Sequence, residues 1–362
     1  MEGFNQFGDP WLPAGAVETL GNNVDAYVDH SAPQGLSEGE FRASVTAPGV
    51  FDRVYDHEAE PLATVDQSMA AITQLFYTIN WLHDYWYDSG LNEAAGNAQN
   101  DNYGRGGVDG DVLHAHAQDA ALEGARNNAN MSTPADGASP RMQMYLATTS
   151  TGQLTVSPPE VEYRVGNANF GPGSYDITAP IVVIDDGVEP ASDGCEPAAN
   201  DLTGQIALID RGSCTFEVKI THAEEAGALG VLIINNQPGD STVTLGADLD
   251  HPDPSIPGLG LSNNAGMAIR AALPQTAHMY REYRVERDGT IDNQIVAHEL
   301  GHYIQRRLLV SGNVATRAMG EGWGDFIALH MSLREGDDFD GVYPFPHYGA
   351  VFSDPTGYYG YR

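Results

Sequence analysis

Residues Ile291 to Ile304 read IDNQIVAHELGHYI. In helical form His298 and His302 stand four positions apart and project from the same face, so their imidazoles are placed to share one metal ion. Neutral imidazole nitrogens suit zinc, and a catalytic zinc takes three protein ligands while keeping one position for water. Glu299 follows the first histidine and is placed to remove a proton from that water while staying outside the ligand set. Further along, Gly320 to Phe326 read GEGWGDF, where Glu321 and Asp325 again lie four apart on one helical face. Glu321 completes three ligands, and Asp325 is suited to accept the outer N–H of a ligating imidazole, fixing its tautomer. A solvated acidic helix beside two core histidines is the bland alternative, and it requires both segments to mimic their roles independently.

Outward from these segments, Met69, Ile72, Leu75, Phe76, Ile79, Leu82 and Trp86 recur at spacings of three and four. That period predicts a long helix from Thr64 to Tyr87 with one broad buried face, stopped by Gly90. His83 and Asp84 lie on it and are read as a structural pair. The Gly/Asn/Asp-rich stretch from Asn97 to Asp119 carries Asp101, Asp109 and Asp111, oxygen donors of the kind Ca2+ takes. Their spacing matches no calcium-loop motif, so a solvated turn is the expectation there. Arg141 to Ala147 alternates and predicts a strand, while residues 1–60 are turn-rich and read as short strands and loops.

Residues 151–283 read as a separate unit. A strand from Gln205 to Asp210, a helix with Phe216, Ile220 and Ala223 on one face, a stop at Gly227 and a second strand from Val231 to Asn235 make a strand, helix, strand succession. Cys195 and Cys214 sit in its Gly-punctuated middle. A local bridge suits an oxidising compartment and closes a loop worth about 3 kcal/mol, two reduced buried cysteines being the alternative.

A chain of 362 residues is long enough for two compact units, or for one with a large insert. Its 17 basic and 50 acidic residues give a net charge of -33, which excludes nucleic acid as a partner because a polyanion is repelled. No apolar run is long enough to span a bilayer. The N-terminal MEGFNQFGDPW lacks the basic and apolar regions of a secretory signal.

Two further stretches, FYTINWLHDYWYDSGLNEAAGN from Phe76 to Asn97 and NNANMSTPADGASPRMQM from Asn127 to Met144, complete a pattern. With the two metal-type motifs, they resemble the fungalysin family, secreted zinc metallopeptidases with a thermolysin-like active site. The resemblance covers most of residues 60–147 and 284–330. It implies an α+β catalytic domain, with a strand-rich N-terminal lobe over residues 1–150 and metal-carrying helices over residues 284–362. It implies one zinc per chain on His298, His302 and Glu321, Glu299 as general base, a peptide or protein substrate, and an extracellular location. In such enzymes the strand matching residues 127–130 borders the cleft, which makes Asn128 and Ala129 candidate substrate contacts by strand addition. An N-terminal propeptide in the precursor is compatible with this likeness.

The stretches DRGSCTF, from Asp210, and AGALGVLIINN, from Ala226, make residues 151–283 similar to an α/β protease-associated domain that interrupts the catalytic one. The resembled family continues after the Glu321 motif into a helical C-terminal part that supplies oxyanion-binding groups, so the C-terminal lobe is expected to be truncated here. His347, Tyr348 and Arg362 are read as surface residues. Two readings compete with an endopeptidase: a truncated, catalytically weak zinc-binding interaction module, and a zinc hydrolase of non-peptide substrates.

Overall fold

The computed structural model describes residues 3–248, 251–309, 314–338, 340–341, 343–344 and 360–361. The chain divides into two compact units, one of Met1–Thr149 with Val285–Arg362 and one of Ser150–Arg284.

The first unit is built round a long helix, α1 (Val65–Asp88), whose apolar positions recur every three or four residues. Thr64 caps its start by accepting a hydrogen bond from the Gln67 amide, and Gly90, with φ of 111°, turns the chain out of it. Ile72, Leu75, Phe76, Ile79 and Leu82 bury the inner face against a four-stranded sheet. The sheet comprises β1 (Val24–Val28), β2 (Leu113–Ala117), β3 (Ala129–Ser132) and β4 (Arg141–Met144), in the order β1-β2-β4-β3. Parallel pairing joins β1 to β2 and β2 to β4, and β3 runs antiparallel along the edge of β4. Within residues 1–60 only β1 forms a strand among the described residues, the rest being turns and isolated bridges.

The strand expected from Arg141 to Ala147 is broken at Tyr145. Its last two residues, Leu146–Ala147 (β5), leave the sheet and pair antiparallel with a second short strand in a ladder of their own. The Tyr145 carbonyl accepts from the Gly289 amide at 3.1 Å, so the change of partner occurs at one peptide. Alternation of side chains reads a strand's faces but carries no information about which strand it pairs with.

The second unit holds an eight-stranded sheet. Its strands are β6 (Gln153–Ser157), β7 (Val161–Tyr163), β8 (Gly166–Asn167), β9 (Tyr175–Val183), β10 (Ile206–Asp210), β11 (Gly230–Ile234), β12 (Gly258–Leu261) and β13 (Thr276–Arg281). They lie in the order β7-β6-β13-β9-β10-β11-β12-β8, and the central β9, β10, β11 and β12 are parallel. Helix α2 (Phe216–Glu225) covers one face and α3 (Asn263–Ala272) the other. Ala207 and Ile209 of β10 pack with Ile220 and Ala223 of α2, while Ile206 and Leu208 pack with Ile269 of α3. Burial on both faces explains why β10 and β11 read as unbroken apolar runs instead of alternating. Gly227, with φ of 89°, ends the turn after α2.

The chain re-enters the first unit through β14 (Arg287–Asp288), the partner of β5, and then forms α4 (Asn293–Leu308) and α5 (Val314–Ser332). Asp292 caps α4 by accepting from the Gln294 and Ile295 amides at 2.9 and 3.3 Å. Val296, Leu300, Tyr303 and Ile304 of α4 and Ile327 and Ala328 of α5 join the core that α1 began. No helix among the described residues is long and apolar enough to cross a membrane.

Candidate metal centre

Helices α4 and α5 pack so closely that two glycines are required at their crossing. A Cβ on Gly301 would lie 2.9 Å from the Gly324 Cα, and one on Gly324 would lie 2.8 Å from the His298 ring. The glycines inside the HELGH and EGWGD stretches thus let one helix carry its polar groups directly over the other.

Glu321 Oε2 sits 3.3 Å from His298 Nε2 and 3.6 Å from His302 Nε2. The two imidazoles meet edge to face with centroids 4.7 Å apart. On its far side His298 donates from Nδ1 to Asp325 Oδ1 at 2.9 Å, which leaves the Nε2 lone pair on the Glu321 side. Ligand-type atoms of His298, Glu299 and His302 lie within 4.8 Å of one another. Burial and the neighbouring His298 hold His302 below the usual histidine range, favouring the neutral imidazole that metals bind.

Glu299 is 4% exposed, and its Oε2 is buried with no hydrogen-bond partner. Burial, reinforced by the charge of Glu321, pushes its carboxyl up to about 8. A lone buried carboxylate oxygen costs on the order of 1–3 kcal/mol, a cost retained where the group has a chemical task.

The other residues singled out from the sequence fall elsewhere. Ala129 opens edge strand β3 and Asn128 precedes it, exposed. Asn127, at φ of 60°, fixes the entry to that strand by accepting from the Thr148 amide at 2.9 Å. Arg306 of α4 donates to the Met131 carbonyl and so ties the metal-type helix to β3. Cys195 and Cys214 form a disulfide with Cα atoms 5.6 Å apart. His347, Tyr348 and Arg362 lie outside the described residues.

His83 and Asp84 are engaged structurally. Asp84 Oδ2 accepts from the Phe4 amide and Trp11 Nε1, both at 2.8 Å, and Oδ1 accepts from His83 Nδ1 at 3.0 Å. The stretch expected to be a solvated turn is one at Asp101 and Asp109, which are exposed, but Asp111 is fully buried because Arg307 and the Gln99 amide supply its partners. Asp101 accepts from the Tyr103 amide, Asp109 from the Asn102 amide, and Asp111 from the Gln99 amide and Arg307.

Reading the sequence missed the two crossing glycines and the tie from Arg306. Gly301 was visible beside His302 and Gly324 beside Asp325, but only the crossing shows that they are needed. It also missed a buried cluster in which Asp29, after β1, meets His116 and Asp119 at the end of β2.

Residues 5–357 match the family described as fungalysin metallopeptidase (M36). The chain belongs to that family. Among curated relatives of this fungalysin-family chain, Extracellular metalloproteinase 2 of Trichophyton tonsurans is 41% identical over 157 residues, covering 39% of this chain and 23% of the relative. Extracellular metalloproteinase mep of Aspergillus flavus is 52% identical over 130 residues, covering 36% of this chain and 18% of the relative. The aligned stretches thus span about a quarter or less of these fungalysin relatives. Partial overlaps occur with a zinc aminopeptidase from Bacillus subtilis, at 22% identity and TM-score 0.30 over 39% of this chain and 36% of that one. An aminopeptidase from Aneurinibacillus overlaps at 23% identity and TM-score 0.30, over 40% and 36%. The fold is a metallopeptidase fold of mixed helices and strands, and the family implies a metal cofactor.

Proposed function

We propose that this chain is the metal-binding part of a secreted zinc-dependent endopeptidase. The observation that carries this reading is the convergence of His298 Nε2 and His302 Nε2 on Glu321 Oε2, at 3.3 and 3.6 Å. Donors held at 2.0–2.1 Å in a tetrahedron stand about 3.3 Å apart, so the three atoms fit a zinc ion, and the buried, partnerless Glu299 oxygen beside them suits a base.

His298, His302 and Glu321 would hold the metal. When bound, zinc would supply Lewis acidity toward a water and toward the carbonyl under attack. Glu299 is placed to accept a proton from the attacking water at Oε2 and to return it to the leaving amine. Asp325 keeps the His298 proton on Nδ1 and the ring in position. Edge strand β3 receives an extended peptide by strand addition, with Asn128 and Ala129 in contact. Extended binding of this kind favours a peptide over other hydrolysable substrates.

In this reading residues 151–283 form a protease-associated domain inserted between the N-terminal lobe and the metal helices of a thermolysin-like catalytic domain. The parallel sheet with one helix on each face supports that identity. The disulfide and the names of the extracellular relatives support a location outside the cell.

Metal analysis combined with a casein-type assay tests the proposal. One zinc per chain is expected, reduced in His298→Ala and Glu321→Ala, with cleavage stopped by a chelator and restored by zinc. Metal content unchanged in both variants, or cleavage insensitive to the chelator, overturns it.

A further inference from the structure

Beyond the metal centre, two more groups of ligand-type side chains converge among the described residues, and they differ in how they are satisfied. Asp29, His116 and Asp119 are closed on themselves. His116 Nδ1 lies 2.6 Å from Asp29 Oδ2 and 3.0 Å from Asp119 Oδ2, and its Nε2 lies 2.8 Å from Tyr27 Oη. The Gly35 amide and Gln143 Nε2 supply further donors to the two carboxylates, both at 2.8 Å. Burial opposes the charged ring, but Asp119 and Asp29 outweigh it and hold His116 above the usual histidine range, so the group supplies its own counter-charge.

The second group, Asp186, Asp193 and Glu196, lies in the unit Ser150–Arg284 with one carboxylate oxygen of each within 4.8 Å of the others. Asp186 and Asp193 are only 5% and 4% exposed, whereas Glu196 is exposed. Asp186 Oδ1 accepts from the Val188 amide and Asp193 Oδ1 from the Cys195 amide, both at 3.1 Å. Asp186 Oδ2 is buried and has no hydrogen-bond partner.

A cation stands nearby but is turned elsewhere. Lys219, the only lysine in the chain, is fully buried and directs its ammonium to the Asp193 carbonyl and to Cys195 Sγ. Among the described residues no carboxylate oxygen pairs with it at salt-bridge distance, so three carboxylates face one ammonium that hydrogen-bonds to none of them.

We infer that Asp186, Asp193 and Glu196 form a binding site for a divalent cation of the calcium type. Three carboxylates with no nitrogen or sulfur donor suit a hard cation, and Ca2+ accepts an irregular oxygen shell that Mg2+ does not. The buried Asp186 oxygen gains the partner it lacks, and the exposed Glu196 side leaves room for water ligands. The site's frame is rigid on both flanks. Cys195, bridged to Cys214, stands between Asp193 and Glu196 in the chain, and a Cβ at Gly212 would come within 2.5 Å of Asp193 Oδ2. With only three protein carboxylates the dissociation constant should be about 10⁻⁴ M, in the range of extracellular calcium modules.

Calcium titration by isothermal calorimetry on the zinc-loaded full chain tests this inference, and it leaves the His298 centre untouched. The parent should bind one Ca2+ at about 10⁻⁴ M and melt at a higher temperature when it is bound. Asp186→Asn should lose that site, and Glu196→Gln, an exposed change that leaves folding intact, should weaken it roughly 10-fold. Both should melt like the parent in chelator. Should Asp186→Asn fail to fold, Glu196→Gln decides alone. Calcium affinity equal to the parent's in Glu196→Gln, or Mg2+ bound as tightly as Ca2+, overturns the inference.

Discussion

Two helices of the first unit carry a histidine followed directly by an acid, and the two pairs differ in what surrounds them. On α1, Asp84 is fully buried and accepts from Phe4, Asn5, Trp11 and His83. Burial alone would raise its pKa, but the hydrogen bonds from His83 and Trp11 outweigh it and hold the carboxyl below 3.8. On α4, Glu299 is as deeply placed, yet one oxygen has no partner and the carboxyl rises to about 8. Burial does not by itself make an acid reactive. The number of donors aimed at it decides whether it anchors the chain or stays free to exchange a proton.

The largest effect should come from removing the available acid. Glu299→Gln is expected to keep metal and fold while peptide hydrolysis drops about 10³-fold, as judged by steady-state cleavage at equal zinc occupancy. Parent-like turnover would erase the contrast with Asp84. Next, Asp84→Ala should leave the zinc content unchanged but cost about 3 kcal/mol of stability in a urea titration, because buried donors of Trp11 and the Phe4–Asn5 backbone lose their acceptor. A loss below about 0.5 kcal/mol would mean that the N-terminal segment is not anchored there.

A smaller change sharpens the comparison from the metal side. Asp325→Asn keeps the shape beside His298 but weakens the acceptor, and zinc affinity measured by competition with a chelator should fall roughly 10- to 100-fold. Unchanged affinity would show that the tautomer of His298 is fixed by something else. The smallest effect concerns pH. Because the folded pKa of Asp84 lies below its unfolded value, its stabilisation is present above about pH 4 and is lost as pH falls through the folded pKa. Melting temperature plotted from pH 5 down to pH 2 should therefore fall less steeply in Asp84→Asn than in the parent, and identical slopes would remove the linkage.

Much of the local architecture follows from period and spacing. The recurrence from Met69 to Trp86 corresponds to α1 within a residue or two at each end, because a helix on a flat sheet needs only one continuous apolar face. The four-residue spacing in IDNQIVAHELGHYI makes two side chains neighbours on any helix. What spacing cannot carry is the meeting of distant segments. The break at Tyr145 depends on Gly289, far along the chain, and the need for Gly301 and Gly324 arises only where α4 and α5 touch. Asp186, Asp193 and Glu196 are near in sequence, but their convergence depends on the path of the loop that joins β9 to β10.

The short ladder of β5 and β14 has a consequence for how the chain is assembled during synthesis. Leu146 pairs with Asp288 and Ala147 with Arg287, and Thr149 Oγ1 donates to the Val285 carbonyl at 2.8 Å. Topologically the first unit has a hairpin at this point, and the whole of Ser150–Arg284 occupies the place of its turn. A ribosome releases that turn complete, with its own cores, before α4 and α5 exist. The apolar face of α1 meanwhile waits for Val296, Leu300, Ile304 and Ile327. Synthesis order thus leaves the core of the first unit to close after the insert has been made, around helices that emerge later, and makes the time spent translating the insert an interval in which α1 is exposed to aggregation or to a chaperone.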